Sequence, residues 1–200
     1  MLMEAPVVMV GTDLVEVDRR LLAGELCCPC GGTLGRWGHA RERLVRGVGV
    51  LRPRRARCSS CLVTHVLLAV VCLLRRADGV EVIGEALRLK ASGVGHRPIA
   101  ARLGRPASTV RGWLRALGRR AEAVRVACTA LLVQLDPLWR PLPVRETRLA
   151  DAVEAVGACA AAARRRLGVL GAVSAWQFAS AVTHGRLLSP AGAAVPFNTN

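Results

Sequence analysis

Two pairs of cysteines have the spacing of metal-binding knuckles. In the 200-residue sequence, Cys27 and Cys30 are separated by two residues, and so are Cys58 and Cys61. Two such knuckles, about thirty residues apart, bring four thiolates into a tetrahedron around one metal ion, and a closed set of four thiolates is typical of structural zinc. The spacing therefore predicts one structural Zn²⁺ ion held by Cys27, Cys30, Cys58 and Cys61.

The first knuckle leaves an alternative register open. Cys28 precedes the same proline, so a Cys28-x-Cys30 pair is available, although the two-residue gap is the better ligand geometry. Gly31 and Gly32 let the backbone turn sharply enough for amide groups to point at the sulfurs. Iron held by four thiolates and a redox-active Cys-x-x-Cys are the rival uses. Two knuckles beside a basic segment favour zinc, because a dithiol enzyme needs only one knuckle at a helix start.

A second pattern, from Pro98 to Leu117, has the spacing of two short helices joined by a tight turn. Ile99 and Leu103 lie four residues apart on one helix face, and Gly104 ends that helix where a left-handed conformation is easiest. From Ala107 onward, apolar residues recur at helical spacing and predict an inward face: Val110, Trp113, Leu114 and Leu117.

The other side of this second helix is polar and basic. Between Ala86 and Ala121 the sequence contains nine arginine or lysine residues and no acid. A helix with arginines on one face suits the DNA major groove, where arginine contacts guanine bidentately. Because an apolar stripe over 82–89 predicts a preceding helix, we expect a trihelical helix-turn-helix that binds double-stranded DNA. Its predicted DNA contacts are Arg97, Arg105, Ala107, Ser108, Thr109, Arg111, Gly112, Arg115 and Arg119.

This pattern resembles the helix-turn-helix of bacterial transposases and resolvases, with Ile-Ala at 99–100, Leu-Gly at 103–104, Thr-Val at 109–110 and Trp113. Pro106 departs from the family, which places a capping serine there. The stretches CPCGG, WGHARERLVRG and LRPRRARCSSC are similar to the zinc-binding segment of some insertion-sequence transposases. Both motifs in this order look like a family of uncharacterised actinobacterial proteins with a zinc ribbon and a helix-turn-helix, which implies an architecture more than an activity.

The segment between the two knuckles is also basic. From Arg36 to Arg57 it contains eight arginines and one acid, Glu42, and its glycines and valines favour short strands and turns. Such a ribbon offers phosphate contacts, and a solvated hairpin around a structural metal is the alternative. The predicted phosphate contacts are Arg43, Arg46, Arg52, Arg54 and Arg55.

Composition narrows the class of protein. A net charge of +15 and a pI near 11.3 indicate a polyanionic partner. The N-terminal residues lack a basic region and a sustained apolar run, so they predict no signal peptide. The most apolar run, Leu62 to Leu74, is too short to span a bilayer. We expect a bacterial, cytoplasmic protein without membrane association, whose cysteines bind metal or stay reduced.

The expected fold is mainly α with a small β zinc ribbon. We expect an N-terminal segment over 1–22, the ribbon over 23–75, the helix-turn-helix over 79–120, an α-helical region over 121–186 and a flexible tail over 187–200. In the α-helical region, apolar stripes predict helices on both sides of a proline-containing linker over 136–147, and a third helix from Ala172 to about Thr183. The long stripe from Leu149 to Leu167 predicts a homodimer through these helices.

We do not expect this chain to be an enzyme. A transposase needs a carboxylate triad for two-metal phosphoryl transfer, and only five acids follow the predicted helix-turn-helix: Glu122, Asp136, Glu146, Asp151 and Glu154. The sequence therefore predicts a sequence-specific DNA-binding protein, either a transcriptional regulator or a mobile-element accessory factor. Two alternatives stay open. One is the DNA-binding subunit of a split transposase or recombinase with a catalytic partner chain, and the other is an RNA-binding zinc-ribbon protein.

Overall fold

A computed structural model describes residues 6–168 and 173–190. The strands are β1 (Val7–Val10), β2 (Leu34–His39), β3 (Arg43–Val45), β4 (Gly49–Leu51), β5 (Arg54–Cys58) and β6 (Thr64–Ala69). The helices are α1 (Leu14–Leu22), α2 (Val80–Ala91), α3 (His96–Leu103), α4 (Ala107–Gly118), α5 (Ala121–Leu135), α6 (Arg148–Leu167) and α7 (Ala175–Val182). Over these ranges the protein is mainly helical with a small sheet. None of these helices combines the length and apolar character that a membrane span requires.

Four strands form a mixed sheet in the order β1-β6-β5-β2. β5 pairs antiparallel with β2 and with β6, whereas β1 pairs parallel with β6. α1 packs on this sheet through Val17 and Leu21, which lie in one apolar cluster with Leu34 and Leu67. Residues 6–22 of the predicted N-terminal segment, 1–22, therefore share a sheet and a core with the segment that contains both cysteine pairs.

β3 and β4 form a separate hairpin, whose turn docks on the chain that leads into α2. The Arg46 N–H donates to the Ala77 carbonyl, and the Gly79 N–H donates to the Arg46 carbonyl. A Cβ at Gly79 would lie 2.6 Å from the Val48 side chain, so a larger residue here would displace Val48. The hairpin turn is thus held directly against the start of α2.

α2, α3 and α4 pack against one another and share one apolar core. α3 ends at Gly104, whose φ of +60° is left-handed, as its place in the sequence predicts. Residues 104–106 then lead into α4, which buries the predicted inward face: Val110, Trp113, Leu114 and Leu117. The opposite face of α4 is left without a packing partner among the described residues.

α5 and α6 pack along each other, and small buried side chains such as Ala155 and Cys159 allow the close approach. Both helices match the predicted stripes, and residues 136–147 connect them without a helix. α7 falls within the predicted third helix, whose expected first residue, Ala172, lies outside the described ranges. The Trp176 ring of α7 lies against Gly84 of α2, where a Cβ would come within 2.3 Å of the ring.

Residues 187–190, which the sequence predicts as the start of a flexible tail, are packed. Leu187 and Leu188 are buried in the helical core. The Arg76 guanidinium donates to the Leu188 carbonyl, and the Arg120 guanidinium donates to the Ser189 and Pro190 carbonyls. The fold continues past residue 186 because two leucines complete the core, and residues 191–200 lie outside the described ranges.

Candidate metal centre and exposed basic helix

Four thiols converge at the end of the sheet. The Sγ atoms of Cys28, Cys30, Cys58 and Cys61 all lie within 4.8 Å of one another. The Cys28 and Cys61 sulfurs are 3.7 Å apart, and the Cys30 and Cys58 sulfurs are 3.5 Å apart. Metal–sulfur bonds of about 2.3 Å in a tetrahedron place the sulfurs roughly 3.8 Å apart. The cluster therefore has the dimensions and the donor set of a four-coordinate, thiophilic metal site.

The structure corrects one predicted ligand, because Cys28 occupies the place assigned to Cys27. Cys27 is exposed and forms an antiparallel bridge with Thr33, whereas Cys28 is buried. The Cys28 N–H donates to the Gly32 carbonyl, and the Gly31 N–H donates to the Cys28 carbonyl. These bonds close the knuckle one residue later than predicted. Successive residues of extended chain point to opposite sides, so Cys27 faces outward once Cys28 faces the cluster.

The backbone of both knuckles is shaped around the Cys58 sulfur. A Cβ at Gly32 would lie 2.6 Å from the Cys58 Sγ, so only glycine permits this approach. The N–H groups of Ser60 and Cys61 lie 3.3 Å and 3.5 Å from the same sulfur and donate to it. The Cys61 amide makes the largest contribution to lowering the pKa of the Cys58 thiol to about 6. Cys58 is thus prepared as a thiolate, the form that binds a metal.

A buried histidine lies in contact with one of the four thiols. The His65 Nε2 lies 3.2 Å from the Cys28 Sγ, and the His65 side chain is buried. Burial lowers the pKa of His65 and raises the pKa of Cys28 to about 12, which favours a neutral imidazole beside a protonated thiol until a metal displaces the proton. His65 and Leu67 lie two residues apart on β6, so their side chains point to the same, inward face of the sheet. This alternation is the sequence signal for the position of His65.

Cys28→Ser should abolish metal retention, whereas Cys27→Ser should retain it. The first variant removes one of four converging ligands, and the second changes an exposed side chain outside the cluster. Because a closed thiolate site contributes on the order of 10 kcal/mol to folding, Cys28→Ser should also unfold the sheet. Elemental analysis of protein purified without chelator provides the measurement. Equal metal content in the two variants would contradict the corrected ligand set.

The outward face of α4 is the other concentration of chemistry-bearing residues. Ala107, Ser108, Arg111, Gly112, Arg115 and Arg119 are all exposed, and Thr109 is half-buried. Arg97 is exposed near the start of α3. A Cβ at Gly112 would meet no atom within 4 Å. Among the described residues, no carboxylate pairs with any arginine of this face. Over residues 6–168 and 173–190 it is therefore a cationic surface without a paired counter-charge.

Arg105, by contrast, is drawn inward by a buried carboxylate. Asp78 is only 2% exposed, and its two oxygens accept from Arg105 Nε at 2.5 Å and from Arg46 Nη2 at 2.7 Å. Burial would raise the pKa of Asp78, but hydrogen bonds from Arg46 and Arg105 outweigh it and lower that pKa. Asp78 therefore joins the β3–β4 hairpin to the turn between α3 and α4.

The predicted phosphate contacts of the sheet region also fall into two groups: arginines that are bonded or enclosed within the protein, and arginines that are exposed. Arg54 bonds to Asp18 and His39, and Arg46 bonds to Asp78. Arg43 is half-buried, with Nε and Nη2 enclosed. Arg52 and Arg55 are exposed and have no ion-pair partner in the described ranges. Two of the five arginines are thus fully available to a ligand.

No family model matches the chain, and no curated protein or solved structure matches it either. The proposals that follow depend on the residues and contacts described above.

Asp78→Asn should destabilise the protein by about 2 to 4 kcal/mol, because two guanidinium groups lose a buried counter-charge. Glu122→Gln is the matched control, since it breaks a solvent-exposed pair with Arg125 and should leave the stability nearly unchanged. The folded-state pKa of Asp78 is lowered, so its contribution is complete at neutral pH and is lost as acid protonates the carboxylate. Denaturant unfolding of both variants measures the difference. Equal midpoints would show that Asp78 does not hold the two regions together.

Proposed function

We propose that this protein is a sequence-specific, double-stranded DNA-binding protein. α3 and α4 form its helix-turn-helix, and α4 is the recognition helix. The observation that supports this best is the α4 face itself, which is exposed and cationic and has no carboxylate partner in the described part of the chain, while its other face is packed. A helix of about 10–12 Å diameter fits the major groove. A solvated face that merely keeps a protein soluble mixes charges of both signs, and this one does not.

Each residue on this face has a role that follows from its place. Arg111 and Arg115 lie one turn apart, so both reach base edges if the helix enters the groove. Gly112 lies between them and leaves room for the close approach of DNA. Arg97 and Arg119 flank the helix and suit phosphates. Arg105 is excluded from direct contact in this proposal because it is bonded to Asp78.

The N-terminus of α4 adds a further feature. Pro106 is its N-cap residue and offers no side-chain oxygen, so no side chain caps the first turn. Amide groups left free at a helix N-terminus bind phosphate oxygens, helped by the helix dipole. In this proposal a DNA phosphate takes the place of the serine that the resembled families carry at this position.

We further propose that the four-cysteine cluster binds one structural Zn²⁺ ion and that residues 23–75 form a zinc ribbon. Four thiolates exclude magnesium and calcium, which prefer oxygen ligands. Iron shares this donor set, so the metal content of purified protein distinguishes the two. Bound zinc would hold the two knuckles closed, and Arg52 and Arg55 would contact phosphates beside the groove that α4 occupies.

The biological role we propose is binding rather than catalysis. Three of the five acids downstream of α4 are engaged by different arginines: Glu122 by Arg125, Asp136 by Arg165 and Glu154 by Arg145. A catalytic metal site would need several carboxylates brought together. A transcriptional regulator and an accessory factor of a transposase or recombinase stay equal alternatives. The homodimer through α5 and α6 and the cytoplasmic location stay predictions.

The test has two stages. Selection from a pool of randomised duplexes with the metal-loaded protein should enrich one motif. Arg111→Ala should then weaken binding to that motif by about 1 to 3 kcal/mol and relax the preference at one base position. Arg55→Ala should weaken binding to all duplexes alike and reduce the salt slope by about 1. Fluorescence anisotropy across a salt series measures both.

Arg148→Ala is the control, because it removes the same charge from an exposed position on α6. Its affinity and base preference should match those of the unmodified protein. Absence of any enriched motif, or equal effects of Arg111→Ala and Arg148→Ala, would contradict a recognition role for α4.

A further inference from the structure

An irregularity in the sheet directs a tryptophan outward. β2 and β5 pair Arg36 with Ala56 and His39 with Arg54, so Trp37 and Gly38 together face the single residue Arg55. This is a β-bulge, a feature that redirects a side chain. Gly38 has a φ of +93°, which accommodates the extra residue. Trp37 is 52% exposed as a result.

One face of the Trp37 ring is covered by an arginine that is itself held in place. The Arg57 guanidinium carbon lies 4.6 Å from the ring centroid, within the range of a cation–π contact. Arg57 Nε donates to the Leu62 carbonyl at 3.1 Å. Leu62 directly follows Cys61 and has a left-handed φ of +61°. The second cysteine knuckle therefore positions Arg57, and Arg57 orients the tryptophan.

The surroundings of Trp37 are positive. Arg36 and Arg55 are both exposed on the neighbouring positions of β2 and β5. Arg36 pairs with Asp18 of α1, which it shares with Arg54, so its side chain lies on the opposite face of the sheet from Arg55 and Arg57. A large apolar ring therefore lies at the surface with the Arg57 guanidinium over it and the exposed Arg55 on the strand position opposite, remote in sequence from α4.

We propose that Trp37 and Arg57 form a stacking site for an unpaired nucleobase of DNA. An aromatic ring on a positive surface is the arrangement with which proteins bind single-stranded nucleic acid, because every base has a π-face and the adjacent phosphates need cations. Paired bases inside a duplex hide both faces, so the ligand is a single-stranded, flipped or end-frayed base. This site is additional to the duplex contact proposed for α4 and does not depend on it.

The probe is a short oligothymidylate strand with one central 2-aminopurine, whose fluorescence falls when it stacks. Titration with the metal-loaded protein should quench this fluorescence. The same sequence as a blunt duplex, with 2-aminopurine paired inside, should show no such quenching. Trp37→Ala should weaken single-strand binding roughly 5- to 100-fold, and Trp37→Phe should retain part of it.

Leu44→Ala is the matched control, since Leu44 is also an exposed apolar side chain on a strand, in β3. It should leave the quenching unchanged, and so should Arg148→Ala, which removes one exposed positive charge from α6. Metal content equal to that of the unmodified protein verifies that Trp37→Ala is folded.

Three outcomes would overturn the proposal. Equal single-strand affinity of Trp37→Ala and Leu44→Ala would remove the stacking role. Quenching in the blunt duplex as strong as in the single strand would show that no unpaired base is required. Tighter binding of the matching RNA strand than of the DNA strand would assign the site to RNA instead.

Discussion

The arrangement of this protein depends on one buried carboxylate. Asp78 precedes α2 and neutralises two guanidinium groups, Arg46 from the β3–β4 hairpin and Arg105 from the turn before α4. A buried carboxylate is costly unless it is fully paired, so this contact tolerates little displacement of either partner. Two backbone hydrogen bonds between Arg46 and residues 77–79 reinforce it. The β3–β4 hairpin and the turn before the basic helix are therefore coupled through residues 77–79.

This contact also explains how the positive charges are distributed. Arg46, Arg54 and Arg105 are occupied by Asp78 and Asp18, and Arg88 is occupied by Glu85. The exposed arginines of the outer α4 face, and Arg55 opposite Trp37, have no carboxylate partner among the described residues. Like charges held close together repel one another in the free protein. A polyanion relieves that repulsion, so both proposed sites favour nucleic acid over a neutral partner.

Local patterns in the sequence were sufficient for α2 to α7, but they missed α1 and the contacts between the elements. The stripe from Val110 to Leu117 and the left-handed Gly104 predict α3 and α4 closely, because both signals come from neighbouring residues. The residues around Arg105 include no acid, so the sequence predicts an unpaired cation there. Its partner, Asp78, lies 27 residues away in the sequence. Cys28 replaces Cys27 because the backbone bridge between Cys27 and Thr33 determines which of the two side chains points toward the cluster. Neither the parallel pairing of β1 with β6 nor the bulge at Trp37 has a local signature.

Amide hydrogen exchange of the metal-loaded protein, with and without its selected duplex, tests the central claim most directly. We expect slower exchange on binding in the turn at 104–106 and the first turns of α4, where backbone amides and arginines would contact DNA. We expect no change in α5 and α6. Protection confined to α5 and α6, with residues 104–118 unchanged, would contradict a recognition role for α4.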